Sequence, residues 1–128
     1  MKDDKTLDIS LTVADVGFGG NTGGSKYFYS FSPDLALACK GQSPFTMNYR
    51  FDDVVQKYFK IRSVLTTDSK EQIVQPIEIH KDGYGATVIN RNEVPTLIFL
   101  SFIVEDTNKK ILFSCDPQVG NDPKISPR

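Results

Sequence analysis

The sequence predicts an all-β fold, a single-domain antiparallel β-sandwich with Greek-key-like connections and at most one short helix. Three observations carry this expectation. Apolar and polar residues alternate with period two through most of the chain, turn signals recur every ~8 to 12 residues, and helical periodicity is nearly absent. A chain of 128 residues buries roughly two thirds of its extended surface in one core, so residues 1–128 read as one domain.

The first strand is marked by Leu7, Ile9, Leu11 and Val13 alternating with polar residues. Val16 to Gly24 follows, with Gly-Phe-Gly-Gly-Asn-Thr-Gly-Gly at its centre, and reads as a loop. Lys26 to Phe31 is an aromatic-rich strand closed by Ser32-Pro33-Asp34, and Leu35 to Cys39 alternates large and small apolar residues. After a turn over Lys40 to Pro44, residues Phe45, Met47, Tyr49 and Phe51 alternate again. Asp52 to Tyr58 is the one helix candidate, with Asp52 or Asp53 as N-cap. Phe59 to Thr66, Gln72 to His80 and Ala86 to Asn90 read as strands, the last two joined by a tight turn at Asp82-Gly83. A final hairpin pairs Thr96 to Glu105 with Lys109 to Asp116 across Asp106-Thr107-Asn108.

Composition narrows the function. Basic and acidic residues number 15 and 16, for a formal charge of −1, so the chain lacks the basic field with which a nucleic-acid binder displaces counterions from phosphate. No apolar run approaches the ~20 residues of a membrane span, and the first residues lack the apolar stretch of a signal peptide. The expectation is a cytoplasmic protein without nucleic-acid or membrane partners, in which the two cysteines, Cys39 and Cys115, stay reduced and pack as small apolar residues. With one histidine and no Cys-x-x-Cys pair, a zinc site has too few ligands, and no cofactor is called for. The glycine-rich loop lacks the order Gly-Lys-Ser/Thr before a helix that phosphate binding needs, and reads as a connection between strands.

Two places retain chemistry. His80 stands at a strand end beside a turn, where a histidine is ordinarily solvated, yet as the sole imidazole it is the default general base. Cys115-Asp116-Pro117 closes the last strand, and Asp122-Pro123 repeats the Asp-Pro pair shortly after. An Asp-Pro bond is intrinsically weak. Its nitrogen belongs to a tertiary amide with a reduced trans preference, and its carboxylate is held one methylene from the carbonyl it can attack, at high effective concentration. Resonance protects the bond in an unstrained chain. Burial at a strand end would let Asp116 serve as acid as well as base, and a packed sheet could hold the amide off planarity. The plain alternative is that Pro117 merely terminates a strand. Ser114 lies on the same strand face as Asp116, either hydrogen-bonding its carboxylate or simply exposed.

The length, the run of short strands and the closing pattern from Ile111 through Ser114, Cys115, Asp116 and Pro117 to Pro123 resemble the DP-EP family, small bacterial β-sandwich proteins associated with self-cleavage at an Asp-Pro bond. The resemblance implies an aspartate-dependent endopeptidase that cuts after Asp116 and self-assembles. It also implies that the released segment, residues 117–128, stays bound as a strand or tail, so that the protein's own C-terminal segment is a partner. The family pattern includes a lysine facing the aspartate that captures it as an isopeptide. A three-residue turn in the last hairpin puts Ile98 opposite Asp116, and no lysine lies between Pro95 and Thr107. The competing expectation is a non-enzymatic binding or assembly module, using the Tyr27-Phe28-Tyr29 strand at an edge or a cleft.

Overall fold

The computed structural model describes residues 5–125 as ten strands in two stacked sheets, with no helix among them. The strands are β1 (Thr6–Asp15), β2 (Tyr27–Ser32), β3 (Leu35–Ala38), β4 (Phe45–Phe51), β5 (Phe59–Thr66), β6 (Glu78–Ile79), β7 (Gly85–Asn90), β8 (Thr96–Asp106), β9 (Ile111–Cys115) and β10 (Gln118–Asn121). Sheet 1 has the order β2-β1-β4-β7-β6 and sheet 2 the order β3-β10-β8-β5, with β9 also paired to β8.

The alternation that predicted strands also decides which side chains meet between the sheets. Ile9, Leu11 and Val13 of β1, Met47, Tyr49 and Phe51 of β4, and Ile98, Leu100, Phe102 and Val104 of β8 are buried, while the residues between them are more exposed. At the centre the rings of Phe31, Tyr49 and Phe102 pack at centroid distances of 4.7 to 5.9 Å. Each such side chain contributes about 1.5–3 kcal/mol by leaving water.

Four expectations are corrected. The sheets are mixed rather than antiparallel, because β1 runs parallel to β4 and β10 parallel to β3. Gln72 to His80 forms only the two-residue β6 and an isolated bridge from Ile73 to Asn90. Asp52 to Tyr58 is a chain of turns, not a helix. There Asp52 accepts from the Val54 amide through its side chain and from the Val55 amide through its carbonyl, which closes a turn before a helix can nucleate. Val55 drops into the core, and its carbonyl takes the Tyr84 hydroxyl.

The fourth correction concerns the last hairpin, whose register pairs Asp106 with Ile111 and so has a four-residue turn over 107–110. Asp106 is buried and fixes it, accepting the amides of Asn108 and Lys109 at 3.0 and 3.1 Å and the Tyr27 hydroxyl at 2.7 Å. Lys110 completes the turn with a left-handed φ of 58°. The Asp82-Gly83 turn between β6 and β7 is as expected. Gly83 takes φ +69°, and a Cβ there would stand 2.8 Å from the Lys60 side chain, so glycine is required twice over.

Candidate functional site

β9 and β10 pair with β8 in one continuous register, Phe102 with Cys115 on one side of the Asp-Pro bond and Phe99 with Gln118 on the other. Asp116 therefore stands opposite Ser101, not Ile98, and Pro117 opposite Leu100. The shift follows from a turn that is one residue longer and begins one residue later than expected. The Leu100 amide donates to the Pro117 carbonyl at 3.1 Å, but Pro117 has no N–H to return, and the ladder is interrupted at this pair alone.

In an antiparallel pair, alternate residues direct their backbone groups toward and away from the partner strand. Since Pro117 faces β8, Ser114, Asp116 and Gln118 direct theirs to the opposite side, and each meets a different segment there. The Ser114 carbonyl accepts from the Thr22 hydroxyl of the glycine-rich loop at 2.6 Å, and the Gln118 amide donates to the Asp34 carbonyl at 3.1 Å. Between them, the Asp116 backbone acts on the Tyr29 phenol, lowering its pKa against the larger effect of burial. Among the described residues no hydrogen bond ends on the Asp116 carbonyl oxygen, the carbonyl of the Asp-Pro bond itself.

Side chains follow the same alternation. Cys115 and Pro117 point into the core, while Asp116 is exposed on the outer face of sheet 2 and lines a cavity of about 390 Å3 with Leu65, Thr66, Phe99 and Ser101. The expected burial of Asp116 is thus corrected, because strand parity sends an even-numbered residue outward here. Ser114 is half-buried on the same face, two residues away. No lysine occupies the facing position on β8, which is Ser101.

His80 is not brought to this site. It follows β6 on sheet 1, with Nε2 2.9 Å from the Thr87 hydroxyl, and lines a separate cavity of about 540 Å3 with Asp8, Ser10, Asn48 and Arg50. The Thr87 hydroxyl in turn donates to Asn48 Oδ1 at 3.4 Å, and Asn48 Nδ2 donates to the Asp8 carboxylate at 3.3 Å. Cys39 and Cys115 are free and buried, and burial followed by the nearby Asp116 charge pushes the Cys115 thiol up, so that it is protonated and unreactive at neutral pH.

Sequence reasoning missed Tyr29 and Asp34. Tyr29 is half-buried, with its ring edge-on to Phe31 at 5.9 Å. Burial pushes its phenol up, the Asp116 amide partly opposes this, and the charges of Asp116 and Asp34 add to the rise. The Tyr27-Phe28-Tyr29 run was legible as an aromatic strand, but nothing local ties it to residue 116. No protein-family model matches the chain, and no curated protein matches it. No described helix is long and apolar enough to cross a membrane.

Proposed function

We propose that the protein is a self-cleaving, aspartate-dependent endopeptidase that hydrolyses its own Asp116-Pro117 bond. The observation that carries this reading is the position of the bond. Its carbonyl is released from the β8 ladder and without a hydrogen-bond partner, its carboxylate is exposed one methylene away, and its nitrogen is a prolyl nitrogen. The Asp116 carboxylate attacks its own backbone carbonyl carbon to close a five-membered anhydride, or orients the water that attacks instead. Either route passes through an oxyanion on the Asp116 carbonyl oxygen. The C–N bond then breaks and the Pro117 nitrogen takes a proton from water; in the first route a further water opens the anhydride. Net, one water is consumed, leaving an α-carboxyl on Asp116 and a secondary amine on Pro117. The resemblance of residues 111–123 to the DP-EP family supports the same chemistry.

Cleavage would not dismantle the fold. β10 lies between β3 and β8 with both edges paired, Val119 is fully buried, and the Asn121 and Asn90 amides exchange hydrogen bonds at 2.5 and 3.0 Å in the core. The Lys40 amide holds the Ile125 carbonyl at 2.7 Å, and residues 126–128 lie outside the described region. The released segment therefore remains a strand of the sandwich and the protein's own partner. Two buried free thiols fit a cytoplasmic setting.

A second reading, a non-enzymatic binding or assembly module, is favoured by the outer face of sheet 2. There Leu35, Leu37, Leu97 and Phe99 on β3 and β8 and Leu65 on β5 are all exposed, and an exposed apolar patch marks an interaction surface. Self-assembly through this face is compatible with either reading. Intact-mass spectrometry of freshly made protein, followed over days at neutral and mildly acidic pH, separates them. Self-cleavage yields two fragments dividing after Asp116, whereas a full-length mass that persists unchanged leaves the binding module.

A further inference from the structure

We infer that the outer face of sheet 1 binds a neutral, polyhydroxylated ligand, a carbohydrate, in the cavity lined by Asp8, Ser10, Asn48, Arg50, Asp52 and His80. The site lies on the opposite sheet from the Asp116-Pro117 bond and is independent of self-cleavage. Strand register builds it. The even-numbered positions of β1 and β4 face away from the core, and pairing lines them up in two rows. One row is Asp8, Asn48 and Thr87 across β1, β4 and β7, and the other is Ser10, Arg50 and Gly85. In the second row glycine leaves the β7 place without a side chain, and the His80 ring lies over it. A Cβ on Gly85 would come within 2.6 Å of His80 Nδ1 and 2.8 Å of the Tyr49 carbonyl oxygen. Gly85 has no left-handed φ, so this glycine, which weakens a strand interior, serves close approach rather than a turn. The imidazole is thereby laid among the polar rows.

These side chains are oriented by one another, which lowers the ordering cost of binding. The Thr87 hydroxyl has one hydrogen and gives it to Asn48 Oδ1 at 3.4 Å, so across the 2.9 Å contact it accepts from His80 Nε2. Asn48 Nδ2 carries the same direction on to Asp8 at 3.3 Å. Ser10 donates to Asp52 at 3.3 Å, and Asp82 holds Arg50 Nη2 at 3.2 Å with the guanidinium over the Tyr84 ring. Carboxylate acceptors at Asp8 and Asp52 thus alternate with the remaining N–H donors of Arg50. Neighbouring hydroxyls of a sugar each donate and accept, which matches that alternation. Charge selects among ligands. Asp8, Asp52 and Asp53 against Arg50 make the lining acidic, which repels phosphates and carboxylates, while the Arg50 guanidinium repels amines. Among the described residues no three or more His, Cys, Asp or Glu side chains group as a metal site. The cavity, about 540 Å3, is within the range of small-molecule sites.

The test is an amide NMR titration of the full chain, in wild type and in Asp116→Ala, with named probes at millimolar concentration. The neutral probes are maltohexaose, cellohexaose, xylohexaose and mannohexaose; hexagalacturonate supplies an anion and spermine a cation. The expected result is that a neutral oligosaccharide shifts the amides of residues 8–10, 48–52 and 80–87 equally in both proteins. Asp8→Ala and Arg50→Ala should each weaken that binding by about tenfold or more, the usual loss when a hydrogen bond to a charged group is removed, with thermal midpoints unchanged. Should Arg50→Ala lower the midpoint, Asp8→Ala, at an exposed position, decides alone. Silence with every neutral oligosaccharide overturns the proposal, as do shifts confined to sheet 2 or shifts at this face from spermine or hexagalacturonate alone. Neutral binding that Asp8→Ala leaves at wild-type strength overturns the placement of the site.

Discussion

The chain contains the same dipeptide twice, and the fold treats the two copies differently. At Asp122-Pro123 the Asp122 amide donates to Ala38 at 2.8 Å and its carbonyl accepts from Ile125 at 3.2 Å, so both backbone groups are spent in closing the turn after β10. At Asp116-Pro117 the strand continues on both sides, yet among the described residues no hydrogen bond ends on the Asp116 carbonyl. Covalent structure is identical at the two sites. Reactivity should differ because both backbone groups of Asp122 are fixed in a closed turn, whereas the Asp116 carbonyl has no hydrogen-bond partner among the described residues and its carboxylate is exposed.

The sharpest way to break this comparison is to remove each aspartate in turn. Asp116→Ala should leave the full-length mass intact for days, a loss of at least about 10³-fold in rate, whereas Asp122→Ala should cleave after residue 116 as wild type does. Fragments dividing after residue 122 in the folded protein would sink the distinction. His80→Ala should cleave normally, since His80 is engaged with Thr87 on the other sheet.

A smaller effect concerns retention of the cut segment. Asn121→Ala leaves the buried Asn90 amide without its partner, which should cost about 1–3 kcal/mol in a urea titration. In cleaved protein it should also hasten loss of the fragment beginning at Pro117 on size-exclusion chromatography. An unchanged midpoint would show that the two amides are not coupled as their distances imply.

The smallest effect is electrostatic and sets the pH range in which the comparison is fair. The Tyr84 amide, chiefly, and the Arg50 guanidinium hold the Asp82 carboxyl below its usual range, against some opposition from burial. A carboxyl with a lowered folded pKa adds stability that is present above its unfolded value, near 3.8, and is lost as pH falls through the folded value. Urea midpoints should therefore drop below about pH 3.8 in wild type, and drop less steeply in Asp82→Asn. Below that range unfolding would expose both Asp-Pro bonds alike, so their difference should be measured above it. Equal acid limbs in the two proteins would remove Asp82 from this account.

Much of the fold was legible in advance because alternation is a local property. The predicted span of β5, Phe59 to Thr66, is the observed one, and β3, β7 and β8 differ from expectation by a residue at one end. Where the reading failed, distant contacts overrode local preference. Asp52 and Tyr84 turned a capped helix start into a series of turns, and the buried Asp106, held by Tyr27, lengthened the last turn by one residue and started it one residue later, which together moved the partner of Asp116 from Ile98 to Ser101.

By itself the sequence determined that this protein is a sandwich of short strands, that its ionisable inventory is sparse, and that a weak bond lies at the end of its last predicted strand. These depend on residue identity and period, which the chain carries at every point. Only the tertiary structure decided that β10 continues the register of β9, that Asp116 faces solvent rather than core, and that His80 lies on the other sheet beside Thr87. The physical reason is that strand pairing between segments far apart is set by the packing of two whole sheets, and the length and position of a single turn decide which side chain faces which.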